Sequence, residues 1–259
     1  MTTDYMAGPY ILMYHAIADD ADDPYSVSVR AFREQLSWLF EHGFEVVPLS
    51  FLVRSLQAME CGKLRKKVVI TFDDGYQDFV ANALPVLLGH QAPATVFLVT
   101  GMLGGRASWN EADSQAPLMS EDEVRHIKAK GISLGSHTAT HVDLTRVSHD
   151  ELHRELMDSH AALARLGETF YAFSYPWGQW TGEVMRAVKA AGYECALAVG
   201  ERSRLTAANS YCLPRITMAR SIGLERFQSL LTRTRWAMEI RRGYRVARES
   251  LLSARLKFS

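Results

Sequence analysis

Cysteine is scarce in this chain of 259 residues: Cys61, Cys195 and Cys212 stand far apart, and the sequence has no Cys-x-x-Cys pair. A disulfide framework or a zinc ribbon needs more cysteines at shorter spacings, so the sequence argues against both. Three isolated thiols are typical of a protein from a reducing compartment.

Net charge and long apolar runs are also missing. The 29 basic residues balance the 29 acidic ones, which argues against a general polyanion-binding protein. No apolar run reaches the length of about 18 residues that a transmembrane helix needs, and no basic segment followed by an apolar one opens the chain. The sequence therefore predicts a protein without signal peptide or membrane span, and a cytoplasmic location.

Strand-like apolar runs alternate with amphipathic helical segments, in a chain whose hydrophobic content of 47% and charged content of 22% are ordinary for a globular protein. Strands are predicted over residues 9–15, 44–49, 67–73, 94–99, 132–136, 170–175, 195–199 and 213–216. Helices are predicted over 29–41, from an N-cap at Ser50, over 79–90 with an interruption at Pro85, over 120–130, 149–166 and 182–191, and from 224 onward.

This alternation predicts an α/β fold. Strands that alternate with helices form parallel βα units, and seven or eight such units indicate a distorted (β/α) barrel rather than an open sheet. No internal repeat, low-complexity tract or linker precedes residue 220. We therefore expect one barrel domain over residues 1–220 and a basic helical C-terminal extension over 221–259 that packs on the barrel or projects from it.

Polar and aromatic residues follow four of the predicted strands. They are His15, the pair Asp73 and Asp74, His137, and the segment Tyr175-Pro176-Trp177. The carboxyl ends of the strands of a βα barrel line one face, so we expect these residues to share a site. Four of the side chains can bind a metal or carry a proton.

Two neighbouring aspartates end the strand at 67–73 and precede Gly75. Alone, an Asp-Asp-Gly sequence is more often a surface turn than a site. Adjacent carboxylates at a strand end are unfavourable, through repulsion and desolvation, unless something nearby needs negative charge. A divalent metal and a proton to be abstracted would supply that need.

His137 and His141 are four residues apart and directly follow a predicted strand, where we expect them on one face of a helical turn. With one aspartate they make a set of two imidazoles and one carboxylate, which leaves positions for water and a substrate oxygen. His149 and His153 have the same spacing but lie in an ordinary amphipathic helix, so we expect them to be structural.

Three motifs resemble those of the polysaccharide deacetylases, the carbohydrate esterases with NodB homology. They are Thr-Phe-Asp-Asp-Gly at 71–75, His-Thr-Ala-Thr-His-Val-Asp-Leu-Thr at 137–145 and Phe-Ser-Tyr-Pro-Trp-Gly at 173–178. The resemblance covers residues 9–217. The segments 12–15 and 27–36 are most similar to the subgroup that acts on poly-β-1,6-N-acetylglucosamine, in which the barrel is circularly permuted and an early histidine replaces a late one.

The resemblance implies a role for each matched residue. Asp74, His137 and His141 would bind a divalent metal, Zn²⁺ before Co²⁺ or Ni²⁺, although imidazole and carboxylate suit all three. Asp73 would be the general base for the attacking water, and His15 the general acid that protonates the departing amine.

The same resemblance places the segment at 175–177 on the substrate side of the site. The backbone N–H of Trp177 would help to hold the oxyanion, and its ring would wall the acetyl pocket. Tyr175 is grouped with Trp177 as a substrate or oxyanion residue.

The chain departs from the common family pattern at three points. Ser174 stands where that pattern has an arginine; Arg215 either enters the site and pairs with Asp73 or forms a surface ion pair, and the sequence leaves both open. No Asp-Trp motif follows the third motif. No Leu-x-His motif follows it either, so His15 is the candidate acid, unless it is a buried strand-end histidine bonded to backbone.

These features predict a metal-dependent hydrolase that removes N-acetyl groups from an N-acetylglucosamine-containing glycan or its precursor. Two alternatives stay open: a deacylase of another N-acyl or O-acyl compound, and a catalytically silent glycan-binding protein. No nucleic-acid partner is expected.

The C-terminal stretch 224–259 is rich in arginine and poor in acidic residues, with apolar residues interleaved. This pattern predicts an amphipathic basic helix. Its basic side is either a solvated face or a contact with an anionic membrane surface or a partner.

Overall fold

The computed structural model describes residues 8–19, 23–109, 116–200 and 205–232. The described part has eight strands, β1 Tyr10–Tyr14, β2 Glu45–Val46, β3 Lys67–Phe72, β4 Thr95–Leu98, β5 Ser133–Ser136, β6 Ala172–Ser174, β7 Cys195–Val199 and β8 Leu213–Thr217. It has seven α-helices, α1 Val29–Glu41, α2 Leu49–Gln57, α3 Leu84–Gly89, α4 Glu121–Ala129, α5 His149–Arg165, α6 Gly182–Ala190 and α7 Leu224–Thr232.

β1 closes the sheet into a barrel, because it lies between β3 and β8. It pairs in parallel with β3 from Tyr10 opposite Val68 to Tyr14 opposite Phe72, and its other edge pairs with β8. The strands then follow in the order β8, β7, β6, β5, β4 and β3, all parallel. This parallel barrel of seven strands confirms the predicted (β/α) barrel. Among the described residues, β2 pairs with the beginning of β3 and with no other strand.

Successive residues of β3 face opposite sides of the barrel wall. Val69 packs in a core cluster with residues of β1, β4, β7 and α2, whereas Val68 and Ile70 belong to the cluster that includes the surrounding helices. Every second residue of a strand shares a face, so Thr71 and then Asp73 continue the series begun by Val69. The end of β3 thus carries polar side chains at the mouth of the barrel.

Serine side chains cap α1 and α4, but α2 does not begin at the cap predicted for it. α1 begins after Ser28, and α4 begins with a capping box at Ser120. The expected cap at Ser50 is wrong, because α2 begins at Leu49, directly after Pro48. Pro48 provides no side-chain hydrogen bond, and Ser50 lies inside the helix.

The helix expected over residues 79–90 is divided as Pro85 predicted. A π-helical turn over Phe79–Ala83 precedes α3, and Pro85 lies in the first turn of α3. Proline has no N–H group to continue the preceding helical ladder, so the division follows from its chemistry.

α7 packs on the outside of the barrel. Phe227 and Leu231 are buried, the Phe227 ring meets Trp38 edge-on at 5.8 Å, and the Tyr10 hydroxyl donates to the Leu231 carbonyl. The start of the predicted C-terminal extension is therefore packed on the barrel. The rest of the predicted extension, residues 233–259, lies outside the described residues.

Candidate active site

A sharp corner follows β3 at Asp73, Asp74 and Gly75. The Asp73 N–H donates to the Tyr14 carbonyl over 2.9 Å, which extends the β1–β3 pairing by one residue. Asp74 has a φ of 72° and Gly75 a φ of 76°, so both residues adopt the left-handed conformation. The positive φ favours glycine at position 75, and a Cβ there would lie 2.9 Å from Leu98 Cδ2, so the leucine side chain would have to shift. The bend thus begins at Asp74, one residue before Gly75.

Asp74, His137 and His141 converge at this corner. Asp74 Oδ1 lies 3.4 Å from His137 Nε2 and 3.3 Å from His141 Nε2. One ligand atom from each residue lies within 4.8 Å of the others, and all three side chains are buried. Within the part of the chain that the structure describes, no other group of three such side chains is arranged to hold an ion.

His137 presents an unprotonated nitrogen to Asp74. Its Nδ1 lies 2.8 Å from the Ser174 carbonyl, which can only accept, so Nδ1 carries the proton. Burial lowers the pKa of His137 to about 4, which keeps the ring neutral near pH 7. Nε2 therefore directs a lone pair at a carboxylate oxygen 3.4 Å away, an arrangement that a cation between the two atoms would stabilise.

Asp74 also has the properties of a metal ligand. Among the described residues its Oδ1 is buried without a hydrogen-bond partner, which is uncommon in proteins. Burial alone would raise the pKa of Asp74, but the imidazoles of His141, His15 and His137 lower it overall. An ionised carboxylate beside two imidazoles fits a divalent cation, and these donors suit Zn²⁺, Co²⁺ and Ni²⁺ alike.

The segment 137–141 is a bent loop, and the expected helical turn is wrong. Thr138 has a φ of 67° and His141 a φ of 64°, both left-handed. The Thr138 hydroxyl accepts the His141 N–H over 2.8 Å. The two imidazoles meet because the loop bends back, whereas the spacing of four residues suggested a helix.

Arg215 enters the site from β8, so its interpretation as a surface ion pair is wrong. Its side chain is 1% exposed. Nη1 donates to Asp73 Oδ1 over 2.7 Å and Nη2 donates to Asp73 Oδ2 over 2.6 Å. Further bonds run from Nη2 to Ser174 Oγ, from Nη1 to Thr71 Oγ1 and from Nε to the Ala198 carbonyl. The Ser174 hydroxyl in turn donates to Asp73 Oδ2.

Asp73 is held in its ionised form. Burial alone would raise its pKa, but the Arg215 guanidinium, followed by His137 and His15, holds the pKa of Asp73 well below its usual range. Arg215 and Ser174 occupy three of the roughly four acceptor positions of the carboxylate. One position, on Oδ1, is left for a further donor.

His15 directly follows Tyr14, the last residue of β1, whose carbonyl accepts the Asp73 N–H. The His15 imidazole contributes to the lowered pKa of Asp73 and of Asp74. Its Nδ1 is buried without a hydrogen-bond partner among the described residues, so the alternative of a backbone-bonded Nδ1 does not hold there. The Tyr25 ring lies 5.2 Å from the imidazole.

The turn after β6 exposes Trp177 and buries Tyr175. Trp177 has a φ of 60° and is 50% exposed. Gly178 must be glycine, because a Cβ there would lie 2.6 Å from Val199 Cγ2. The Tyr175 ring is buried and its hydroxyl donates to the Tyr211 carbonyl. The Tyr175 side chain is part of the hydrophobic core, and a substrate or oxyanion role for Tyr175 stays a prediction.

An aromatic residue that sequence motifs did not single out also contacts the site. Trp109 stacks on the His141 imidazole at 4.3 Å with an angle of 19° between the rings. Trp177 meets the same imidazole edge-on at 5.0 Å. In the sequence, the only sign of a role for Trp109 was its position in a long loop after β4.

The chain matches known proteins over the same region. Residues 62–196 match the family model described as polysaccharide deacetylase. The poly-β-1,6-N-acetyl-D-glucosamine N-deacetylase of Staphylococcus aureus is 27% identical over 208 residues, 75% of this chain and 68% of that protein.

Solved structures show the same fold. The Streptococcus pyogenes deacetylase PplD, in complex with acetate, has a TM-score of 0.73 and 26% identity, and the match covers 86% of this chain and 98% of that one. The Bacillus cereus polysaccharide deacetylase BC0361 has a TM-score of 0.72 at 23% identity, over 86% of this chain and 68% of that one.

The barrel and the motifs at its mouth define the class of the NodB-type deacetylases. This chain belongs to the polysaccharide deacetylase family, whose activity is the removal of N-acetyl groups from glycans. Asp73, Asp74, His137 and His141 lie inside the matched region, whereas His15 and Arg215 lie outside it.

Proposed function

We propose that this protein is a metal-dependent deacetylase of N-acetylglucosamine units in a glycan or its precursor. The observation that carries the proposal is that two adjacent carboxylates have different partners. Asp74 faces the imidazoles of His137 and His141, whereas Asp73 is paired with Arg215. Asp74 is thus suited to bind a cation. Asp73 is ionised and keeps one free acceptor position, on Oδ1, for a proton of the attacking water.

Asp74, His137 and His141 would hold the divalent cation. Bound there, such an ion would lower the pKa of water from about 16 to about 7 and polarise the amide carbonyl. Asp73 would accept the proton that the attacking water loses. Because Arg215 keeps Asp73 ionised and fixes its plane, the base stays oriented.

His15 would complete the reaction on the leaving-group side. The bond between the acetyl carbon and the amine nitrogen breaks readily only if the nitrogen gains a proton. A histidine is the natural donor near pH 7, and the His15 imidazole contributes to the lowered pKa of both aspartates. The Trp177 N–H would stabilise the oxyanion, and the Trp177 ring would line one side of the pocket for the acetyl group.

Two observations support a sugar substrate. Trp177 and Trp180 expose 50% and 41% of their surface after β6, at the barrel mouth, and exposed aromatic surface beside a site is typical of ligand recognition. The matched Staphylococcus aureus protein is named as a poly-β-1,6-N-acetyl-D-glucosamine N-deacetylase.

Acetate release from N-acetylglucosamine oligosaccharides tests the proposal. Treatment with a chelator should abolish release, and restoration of Zn²⁺, Co²⁺ or Ni²⁺ should recover it. Asp73→Asn should be inactive with metal bound. Normal turnover by both the stripped enzyme and Asp73→Asn would show that the mechanism is wrong.

Another N-acyl or O-acyl substrate is tested by the same assay with a panel of acylated compounds. Glycan binding without acetate release, in the presence of metal, would instead indicate the silent glycan-binding protein. The missing motif arginine and the missing late motifs favour that alternative, but Arg215 provides a guanidinium at Asp73, which argues against the first of these grounds.

Among the described residues, no helix combines the length and apolar character needed to cross a bilayer. The cytoplasmic location stays a prediction. So does a contact of the basic C-terminal segment with a membrane surface or a partner.

A further inference from the structure

The loop that carries both histidine ligands is strained. Its residues Thr138 and His141 have left-handed backbone conformations, which are unfavourable in residues other than glycine. Such a loop persists only if neighbouring groups hold it. On one side it is held by the segment after β4, where Thr100 N–H donates to the Thr138 carbonyl and Gly101 N–H to the Ala139 carbonyl.

Glu155, on α5, holds the other side of the loop. Its Oε2 accepts the N–H of Ala139 over 2.8 Å and the N–H of Thr140 over 3.0 Å. Its Oε1 accepts the Thr140 hydroxyl over 2.6 Å. All three donors belong to the two residues that precede His141.

The burial of Glu155 makes this arrangement notable. The side chain is buried, with 7% of the residue exposed, and within the described ranges no basic side chain forms a salt bridge with it. A buried carboxylate is unfavourable unless it is hydrogen bonded. Here its hydrogen-bond donors come from the metal-binding loop, so the carboxylate and the loop conformation stabilise each other.

One turn further along α5, a second hydrogen-bonded link to the loop runs through Ser136, the last residue of β5. Ser136 Oγ accepts the Thr138 N–H over 3.1 Å and donates to Ser159 Oγ over 2.9 Å. Ser159 also contacts the Tyr193 hydroxyl at 2.7 Å. The helix therefore fixes the loop at both of its bends, although no residue of α5 belongs to the candidate metal-ligand set.

We propose that Glu155 is a positioning residue for the metal site: it holds the loop so that His137 and His141 direct their Nε2 atoms at the point that Asp74 faces. The inference rests on the proposed function, because it assigns Glu155 to the same metal centre. It predicts that the loss of the carboxylate lowers the metal affinity more than it lowers the stability of the fold.

Metal titration of the full chain tests this role. Glu155→Ala removes all three hydrogen bonds and should weaken the affinity for Zn²⁺ and Co²⁺ by about 10- to 100-fold, as the loss of groups that orient metal ligands does. Glu155→Gln should recover most of the affinity. Its single oxygen can accept both N–H groups, and its amide can donate to the Thr140 hydroxyl. Asp158→Asn, an exposed carboxylate on the same helix, is the matched control and should bind as wild type does.

Thermal unfolding with and without metal separates positioning from a general loss of stability. Metal should raise the melting temperature of Glu155→Ala less than that of wild type, since the rise depends on affinity. If Glu155→Ala does not fold, Thr140→Val removes one of the bonds and should weaken metal binding severalfold.

Two results would overturn the inference: wild-type metal affinity in Glu155→Ala, or affinity in Glu155→Gln as weak as in Glu155→Ala. Either would show that these hydrogen bonds do not set the ligand geometry. A wild-type protein that binds no metal or releases no acetate would instead contradict the proposed function itself.

Discussion

Arg215 and Asp73, separated by 142 positions in the chain, form a buried pair with two parallel N–H···O bonds of 2.7 and 2.6 Å. Arginine and carboxylate match in this geometry because both groups are planar and offer paired donors and acceptors. The pair fixes the charge and the orientation of the candidate base. Arg215 also donates to the hydroxyl of Ser174, the position at which the common family pattern has an arginine.

Removal of the guanidinium should affect both stability and activity. Arg215→Met leaves Asp73 buried without its cation, so we expect a loss of about 3–5 kcal/mol in unfolding free energy, together with loss of acetate release. Urea unfolding and the acetate assay measure the two effects. The double variant Arg215→Met with Asp73→Asn should regain part of the stability and stay inactive. Equal stabilities of the single and double variants would contradict the coupling.

His15 should matter most for poor leaving groups. His15→Ala should reduce kcat for an N-acetylated oligosaccharide by about 10²- to 10⁴-fold, because the amine then leaves without a proton donor. An activated ester such as 4-nitrophenyl acetate has a good leaving group and should be hydrolysed by this variant at close to the wild-type rate. Asp73→Asn should lose both activities. Equal losses on amide and ester in His15→Ala would argue against an acid role.

Gly75→Ala should disturb the corner that carries the aspartates. An alanine there would adopt a positive φ and press its Cβ against Leu98, for a cost of about 1–2 kcal/mol from the conformation alone. Metal affinity should fall as well, because Asp74 is adjacent. Gly62→Ala is the control: a Cβ at Gly62 meets no atom within 4 Å, so urea unfolding should give a free energy within about 0.5 kcal/mol of wild type.

Asp78 should give the protein a pH-dependent stability outside the metal site. It accepts the Ile17 N–H over 2.5 Å, and burial raises the pKa of its carboxyl from 3.8 to about 6. The folded state therefore keeps this proton to a higher pH than the unfolded chain. The stabilising contribution of neutral Asp78 is complete below about pH 4 and is lost as the pH rises through about 6.

Asp78→Asn cannot titrate and isolates this contribution. Relative to the variant, wild type should become less stable between about pH 4 and pH 6, with a constant difference above that range. Urea unfolding of both proteins from pH 4 to pH 8 measures it. A difference that stays constant from pH 4 to pH 7 would show that Asp78 does not titrate in this window.

The barrel and most of the candidate site could be predicted because they depend on local patterns. Alternating strands and helices, together with the residues at strand ends, were enough to place the two aspartates, His137 and His141 at one site. The choice of Asp74 as the ligand came from the family resemblance. The position of Arg215 could not be decided, because a contact over 142 positions leaves no local pattern. Glu155 gave no signal for the same reason: in sequence it is one acidic residue in an amphipathic helix.

Local conformation was the weaker part of the prediction. The spacing of His137 and His141 is typical of a helix, but hydrogen bonds from α5 and the segment after β4 hold a bent loop instead. Tyr175 lies within a functional motif, yet its ring packs in the core, because Ser174 faces Asp73 and successive residues of an extended chain face opposite sides. For the two histidines, tertiary contacts override a pattern that is valid in isolation.

Because β1 pairs with both β3 and β8, the barrel can close only after β8, its last strand, has been synthesised. The segments that carry Asp73, Asp74 and the two histidines precede β8 in the sequence, so they leave the ribosome before β8 is synthesised. Until β8 is added the barrel stays open beside β1, and Asp73 has no guanidinium partner. A nascent chain that ends before residue 213 would therefore carry the whole candidate metal-ligand set but an incomplete site for proton transfer.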